Sequence, residues 1–166
     1  MSEPAIAAIV YRPGQATRPV LDALVAHLKS QGMAVHGLLQ EATPDHGVDA
    51  IDIHNGVHIP IKRPTRYELD HKLCSLNLSQ LAEATMVLRR ALEQHADVVV
   101  VERFGKTERD GGGLADDLLA LMAGGIPTFV TVPETLLPAW QHFSGDLGVV
   151  LSCDAEALVR WWDSRD

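Results

Sequence analysis

The sequence has few cysteines and no long apolar run. Its 166 residues include only two cysteines, Cys74 and Cys153, which cannot form a disulfide framework. The longest apolar runs are far too short to span a bilayer, and the N-terminal residues lack the basic-then-apolar order of a signal peptide. We therefore expect a cytoplasmic protein with reduced thiols, which neither spans nor binds a membrane.

An excess of positive charge is also missing. The chain carries 14 Lys and Arg against 22 Asp and Glu, for a formal net charge of −8. This balance argues against a general nucleic-acid binder, which normally presents a basic face. It does not exclude a small anionic ligand, because a local cluster such as Arg103, Lys106 and Arg109 can bind an anion on an acidic protein.

Apolar runs and helical patterns alternate along the chain. All-apolar runs, which are typical of strands buried on both faces of a sheet, occupy residues 5–11 and 98–101, and residues 127–132 are predicted as a further buried strand. Between the strands, apolar residues recur at the 3.6-residue spacing of a helix. This alternation predicts a three-layer α/β sandwich with a mainly parallel sheet of about five strands. The length fits a single domain covering residues 1–166.

A β-hairpin is predicted as an insertion at about residues 48–63. Alternating apolar residues flank Asn55-Gly56, and Asn-Gly is the strongest two-residue turn pattern. Pro60 favours an edge position for the second strand, because proline cannot donate a hydrogen bond to a neighbouring strand.

Histidine is concentrated around this hairpin. Five of the eight histidines lie between His36 and His71. A zinc or other transition-metal site could be built from His54, His58, His71 and Cys74, which are suitable ligand types. The two hairpin histidines share a face only if the strand register allows it. The alternative is a hairpin whose exposed histidines bind no metal.

Charge appears abruptly after the run of four valines. In open α/β sheets, ligands bind beyond the carboxyl ends of the strands, so part of a site should lie here. Glu102 is a candidate catalytic carboxylate that could hold Mg²⁺ or orient water. Arg103 and Lys106 are candidate anion contacts. The alternative is a solvated loop in which these cations pair with Glu108 and Asp110.

The loop after the first strand lies where a phosphate-binding loop would lie. Backbone N–H groups and a helix dipole hold phosphate in such a strand–loop–helix arrangement. The fingerprint G-x-x-x-x-G-K-[ST] is degenerate here, because the second glycine and the lysine are missing. Thr17 could still contact phosphate, and Arg18 could supply charge. The candidate ligand-binding residues are Arg12, Gly14, Gln15, Thr17, Arg18, Arg103, Lys106 and Glu108.

Six motifs spread over nearly the whole chain carry a family resemblance. They are Ile9-Val-Tyr11, Gly37-Leu-Leu-Gln40, Cys74-Ser-Leu-Asn77, Arg103-Phe-Gly-Lys106-x-Glu108, Gly125-Ile-Pro127 and Trp140-x-x-Phe143. With these motifs the chain resembles a family of uncharacterised bacterial proteins, domain of unknown function 2478. The resemblance implies a relative of the P-loop nucleoside-triphosphatases that act on small nucleotides, and a link to molybdate-transport genes. Ser75 and Asn77 depart from the family pattern, which has Arg and Asp there.

Three functional hypotheses follow. The first is a binding or regulatory protein that holds a nucleotide or an oxyanion between loops 12–18 and 103–113, linked by the resemblance to molybdenum metabolism. The second is a Mg²⁺-dependent nucleotide phosphohydrolase that uses Glu102, with Lys106 replacing the missing lysine. The third is a transition-metal-handling protein that uses the histidine and cysteine cluster.

Two adjacent tryptophans lie in the last predicted helix. Trp161 and Trp162 cannot both face one surface of a helix. One is expected to pack on the core, and the other is a candidate contact in a homodimer, since aromatic residues are enriched at interfaces.

Overall fold

The computed structural model describes residues 5–72 and 78–165. Within these ranges strands alternate with helices: β1 (Ile6–Tyr11), α1 (Arg18–Ser30), β2 (Val35–Ala42), β3 (Val48–Asp52), β4 (His58–Lys62), α2 (Arg66–Asp70), α3 (Leu78–Glu93), β5 (Val98–Val101), α4 (Lys106–Arg109), α5 (Ala115–Ala123), β6 (Thr128–Pro133), α6 (Leu137–Phe143), β7 (Val149–Ser152) and α7 (Ala155–Asp163). None of the helices in these ranges has the length and apolarity that a bilayer span requires.

The strands of the described residues form one mixed sheet. Its order is β4-β3-β2-β5-β6-β1-β7. The five strands from β2 to β7 in this order run parallel, and the hairpin strands β3 and β4 are antiparallel. The prediction of about five strands is low by two, because the predicted hairpin continues the same sheet. β4 is an edge strand, in agreement with the prediction from Pro60.

Helices cover both faces of this sheet, because the buried strands carry apolar side chains on both sides. In β5, Val98 and Val100 face the core under α1 and α7. Val99 and Val101 face the core under α3, α5 and α6. All four valines are fully buried. The predicted three-layer α/β fold is confirmed.

Gly37 lets β2 approach β5 closely. Its φ is +129°, and a Cβ atom at this position would collide with the backbone carbonyl of Val100. Only glycine tolerates both conditions. The pairing continues past the end of β5, where the N–H of Glu102 donates to the carbonyl of Leu38 at 2.9 Å. This register places the second half of β2 beside the candidate site.

Candidate anion-binding site

Three structural elements meet at Glu102, namely the start of α1, the second half of β2 and the end of β5. The residue is 4% exposed. Its Oε1 accepts a hydrogen bond from the hydroxyl of Thr17 at 2.7 Å, and its Oε2 accepts one from the backbone N–H of Gln40 at 2.8 Å. Because parallel strands end at the same edge of a sheet, residues far apart in sequence converge on this carboxylate. Both of its oxygens are thereby satisfied.

The first loop keeps the hydroxyl of a phosphate-binding loop but lacks its cation. Thr17 occupies the N-cap position of α1, yet its side chain makes no capping hydrogen bond. It donates to Glu102 instead. Ala16 stands directly before Thr17, where the fingerprint has lysine. Any positive charge for a bound anion must therefore come from other residues.

Arg103 and Lys106 supply positive charge at this edge. The Arg103 guanidinium lies 5.7 Å from the centroid of the Tyr11 ring. Across the part of the chain that the structure describes, neither cation forms an ion pair. The alternative of pairing with Asp110 does not occur, because Asp110 pairs with Arg109 at 3.0 Å.

Glu108 closes its own loop. One carboxylate oxygen accepts the N–H of Gly105 at 2.9 Å, and the other accepts the N–H of Leu114 at 3.1 Å. Gly113 has a φ of +56°, and a Cβ atom there would collide with the Glu108 carboxylate. Glu108 thus holds the 105–114 loop in shape, and its role as a ligand contact stays a prediction.

The remaining candidates of the first loop line an open cavity of about 900 Å³ beside the end of β7. Arg12 is exposed and lies 3.9 Å from the carboxylate of Glu134. Gly14 has a φ of +80° in the turn. The Gln15 side chain donates to the carbonyl of Cys153 at 3.4 Å, and burial raises the pKa of that cysteine.

Arg18 stands apart from these contacts. Its guanidinium pairs with Asp22 one helical turn along α1, at 2.9 Å. The pair is exposed to solvent, so water screens it strongly. A role for Arg18 in ligand binding stays a prediction.

Sequence reasoning missed Gln40 and Tyr11. Gln40 contributes a backbone N–H, which every residue except proline possesses, so the residue type carries no signal. Tyr11 is the last residue of β1 and is half-buried under Arg103. Burial raises the pKa of its phenol, and Arg103 partly opposes that shift. The rule that strand ends line ligand sites could have found it.

The two hairpin histidines have different partners. The His54 ring stacks on His36, with 4.3 Å between centroids. The Nδ1 of His58 lies 3.1 Å from a carboxylate oxygen of Asp49 and 3.7 Å from one of Glu41. His54 and His58 therefore contact different neighbours.

His71 also has a local partner. Its Nδ1 lies 2.9 Å from the carbonyl of Tyr67, and the two rings stack. Cys74 lies outside the described residues. Within residues 5–72 and 78–165, no three His, Cys, Asp or Glu side chains are grouped so that they could hold a metal ion. The four-residue metal site stays a prediction.

Comparison with known sequences identifies a family and a relative. The family described as "Protein of unknown function (DUF2478)" matches residues 6–161. The molybdenum import ATP-binding protein ModC 2 of Bradyrhizobium diazoefficiens is 33% identical over an alignment of 162 residues that covers 95% of this chain. The chain spans only 18% of the length of that relative.

A solved structure shows the same fold. The crystal structure of THEP1 from the hyperthermophile Aquifex aeolicus superposes with a TM-score of 0.66, covers 91% of both chains and is 17% identical in sequence. At this identity the likeness concerns the fold alone. It agrees with the α/β fold that the sequence predicts.

Proposed function

This chain belongs to the DUF2478 family, and from that premise we propose that it is a binding or regulatory protein for a nucleotide or a related oxyanion. The ligand would lie between loops 12–18 and 103–113. The observation that carries the proposal is the 2.7 Å hydrogen bond between Thr17 and Glu102, which joins the first loop to the end of the central strand.

Thr17 and Glu102 are suited to hold Mg²⁺. In P-loop nucleoside-triphosphatases, a loop Ser or Thr and a carboxylate at the end of a hydrophobic strand hold this ion. The hydroxyl and carboxylate oxygens are the hard ligands that Mg²⁺ prefers. When bound, the ion would neutralise charge on a phosphate, while Thr17 and Glu102 would fix its position.

The anion itself would be held by α1 and Arg103. The 13-residue helix α1 begins at Arg18, and a helix N-terminus attracts anions through its N–H groups and dipole. Arg103 adds a charge without an ion-pair partner in the described residues. With Ala16 in place of the loop lysine, the site lacks a group that stabilises charge in the transition state. Binding is therefore favoured over fast hydrolysis.

The relative in Bradyrhizobium supports a link to molybdenum. Its name describes an ATP-binding protein of molybdenum import. This chain corresponds to less than a fifth of that relative, so the proposal concerns the ligand of this segment alone. Nucleotide and molybdate are the two ligands to compare first.

A thermal-shift screen tests the proposal. The panel contains nucleotides with Mg²⁺, molybdate, tungstate and phosphate. A ligand that binds only the folded state stabilises it by about 2.7 kcal/mol at a hundredfold excess over Kd. Arg103→Ala should lose the shift, whereas Arg109→Ala should keep it because Arg109 pairs with Asp110. If no compound on the panel raises the melting temperature, the proposal is wrong.

A Mg²⁺-dependent nucleotide phosphohydrolase is the second candidate. It is favoured by the burial of Glu102, which is 4% exposed at the end of the central strand. In this case Lys106 would replace the missing lysine. Slow phosphate release that needs Mg²⁺, is abolished by Glu102→Gln and is unaffected by the exposed control Glu93→Gln would support it. No release by the wild-type protein would exclude it.

A further inference from the structure

A second cavity lies between the hairpin β3–β4, helix α3 and the segment 102–108. Its volume of about 380 Å³ falls in the range of small-molecule sites. We propose that this cavity, the hairpin pocket, binds an organic phosphate monoester. The apolar part of the ligand would fill the pocket, and Lys62 and Lys106 at its rim would hold the phosphate.

The floor of the pocket is apolar and comes from four elements. Its buried side chains are Leu38 of β2, Ala50 of β3, Ile61 of β4 and Ala84 of α3. Helix α3 packs across β2 and β4. Alanine at positions 50 and 84 leaves the space open, because larger side chains there would fill the gap between helix and sheet. An apolar space of this kind holds water poorly and accepts an apolar group.

The rim carries an excess of positive charge. Lys62, Arg103 and Lys106 line the pocket, and none forms an ion pair with a residue of the described ranges. The neighbour of Lys62 differs, since Arg63 pairs with Asp49. Unpaired cations around a pocket on a protein with a net charge of −8 favour an anionic ligand.

Two carboxylates also line the pocket, and neither forms an ion pair with these cations. Glu102 accepts hydrogen bonds from Thr17 and the N–H of Gln40. Glu108 accepts hydrogen bonds from the N–H groups of its own loop. These hydrogen bonds hold both carboxylates in place without cancelling their charge, so three cations against two carboxylates leave the lining with one formal positive charge in excess.

Phosphate monoesters match this arrangement better than other anions. A phosphate monoester carries about 1.5 to 2 negative charges at pH 7 and three acceptor oxygens, enough for more than one lysine. A carboxylate carries a single charge. A bare oxyanion would leave the apolar floor unfilled. The ligand should therefore combine an apolar body with a phosphate group.

Titration calorimetry with three probes tests the proposal: phenyl phosphate, inorganic phosphate and phenol. We expect phenyl phosphate to bind one to one, and about tenfold or more tighter than inorganic phosphate or phenol. Of the three probes, only phenyl phosphate contacts both the apolar floor and the lysines at the rim. Comparable affinity for phenyl phosphate and inorganic phosphate would overturn the proposal.

Two pairs of variants locate the binding. Val48 is half-buried and lines the pocket, so Val48→Phe should remove the preference for phenyl phosphate over inorganic phosphate. Val25→Phe, at a half-buried valine against the opposite core, should keep it. Lys106→Ala should weaken phenyl phosphate about tenfold and leave phenol unchanged, whereas Arg109→Ala on the same helix should have no effect. A preference that survives Val48→Phe would contradict the proposal.

Arg12→Ala separates this site from the proposed nucleotide site. Arg12 lies in the first loop, pairs with Glu134 and does not line the hairpin pocket. The variant should therefore leave phenyl phosphate binding unchanged even where it weakens a nucleotide. Loss of phenyl phosphate binding in Arg12→Ala would place the probe at the first loop and reject the hairpin pocket.

Discussion

The end of β5 and the histidine hairpin look alike in sequence but are built differently. Each concentrates polar and ionisable residues in a short stretch. At the end of β5, groups from residues 17 and 40 both contact Glu102. In the hairpin, His54 stacks on His36 while His58 approaches Asp49. The ends of parallel strands converge at one edge, whereas neighbours on a hairpin point to alternate faces. Groups that the fold brings together therefore indicate a site better than residues that are merely close in sequence.

Two glutamates show the same contrast within one segment. Glu102 joins the first loop and β2 to the central strand, whereas the two hydrogen bonds that Glu108 accepts among the described residues come from its own loop. Substitutions at the end of β5, in the 105–114 loop and in the hairpin should therefore lower the free energy of unfolding by different amounts.

The largest effect is expected from Gly113→Ala. A Cβ atom at this positive φ would displace the Glu108 carboxylate and break both of its hydrogen bonds. We expect a loss of about 3 kcal/mol in the free energy of unfolding, measured by urea denaturation. The control is Gly111→Ala, where φ is +89° and nothing lies within 4 Å of the new atom. It should lose about 1 kcal/mol, and equal losses would contradict the role of Glu108 in closing the loop.

In the hairpin, Asp52→Ala should lower the free energy of unfolding by about 2 kcal/mol. Asp52 is 2% exposed and accepts hydrogen bonds from Arg90 at 2.6 Å and from the N–H of His54 at 2.9 Å. Its removal leaves a partly buried guanidinium without its carboxylate. The exposed pair of Arg18 and Asp22 provides the control, since Asp22→Ala should cost under about 0.5 kcal/mol. Urea denaturation of both variants measures the difference, and similar losses would show that burial of the hairpin pair contributes nothing.

Thr17→Val should cost about 1 kcal/mol. The variant keeps the size of the side chain but leaves one buried oxygen of Glu102 without a donor. Thr85→Val is the matched control, because the hydrogen bond that this hydroxyl donates lies within α3, to the carbonyl of Ala82. Chemical denaturation measures the free energy of unfolding of both variants. Unchanged stability in Thr17→Val would show that the contact between Thr17 and Glu102 does not stabilise the fold.

The smallest effect is a pH dependence that arises at His36. Burial lowers its pKa from the ordinary value of 6.5, and His54 and Arg90 lower it further, while Asp52 opposes them. The unfolded chain therefore binds a proton at a pH where the folded protein does not. Stability should fall as the pH drops below about 6.5 towards the folded-state pKa.

Urea denaturation at pH 7.5 and 5.5 measures this dependence. His36→Gln should make it shallower, whereas His95→Gln, at an exposed position, should leave it unchanged. Identical pH dependence in the wild type and His36→Gln would show that another group is responsible.

Local patterns predicted most of the fold. The run of four valines, the helical spacing and Asn55-Gly56 each depend on a few neighbouring residues, so the α/β order and the hairpin were predicted correctly. The number of strands in the sheet depends on the pairing of β2 with β3, which no local pattern encodes. The sheet therefore has more strands than predicted.

The candidate site was only partly predictable, for a physical reason. The rule for strand ends pointed to Glu102 and Arg103, because it needs only the end of a buried run. The partners of Glu102 depend on register and on a backbone N–H, and those of Glu108 are backbone groups of its own loop. The residue types in the sequence therefore do not reveal the partners of Glu102 or of Glu108.

Titration calorimetry with the compound that gives the largest thermal shift tests most directly whether one ligand contacts both loops. The proteins to compare are the wild type, Thr17→Val, Arg103→Ala and the control Arg109→Ala. If one ligand contacts both loops, each of the first two variants should weaken binding about tenfold, and the control should bind as the wild type does. Unchanged affinity in both Thr17→Val and Arg103→Ala would show that the ligand binds elsewhere.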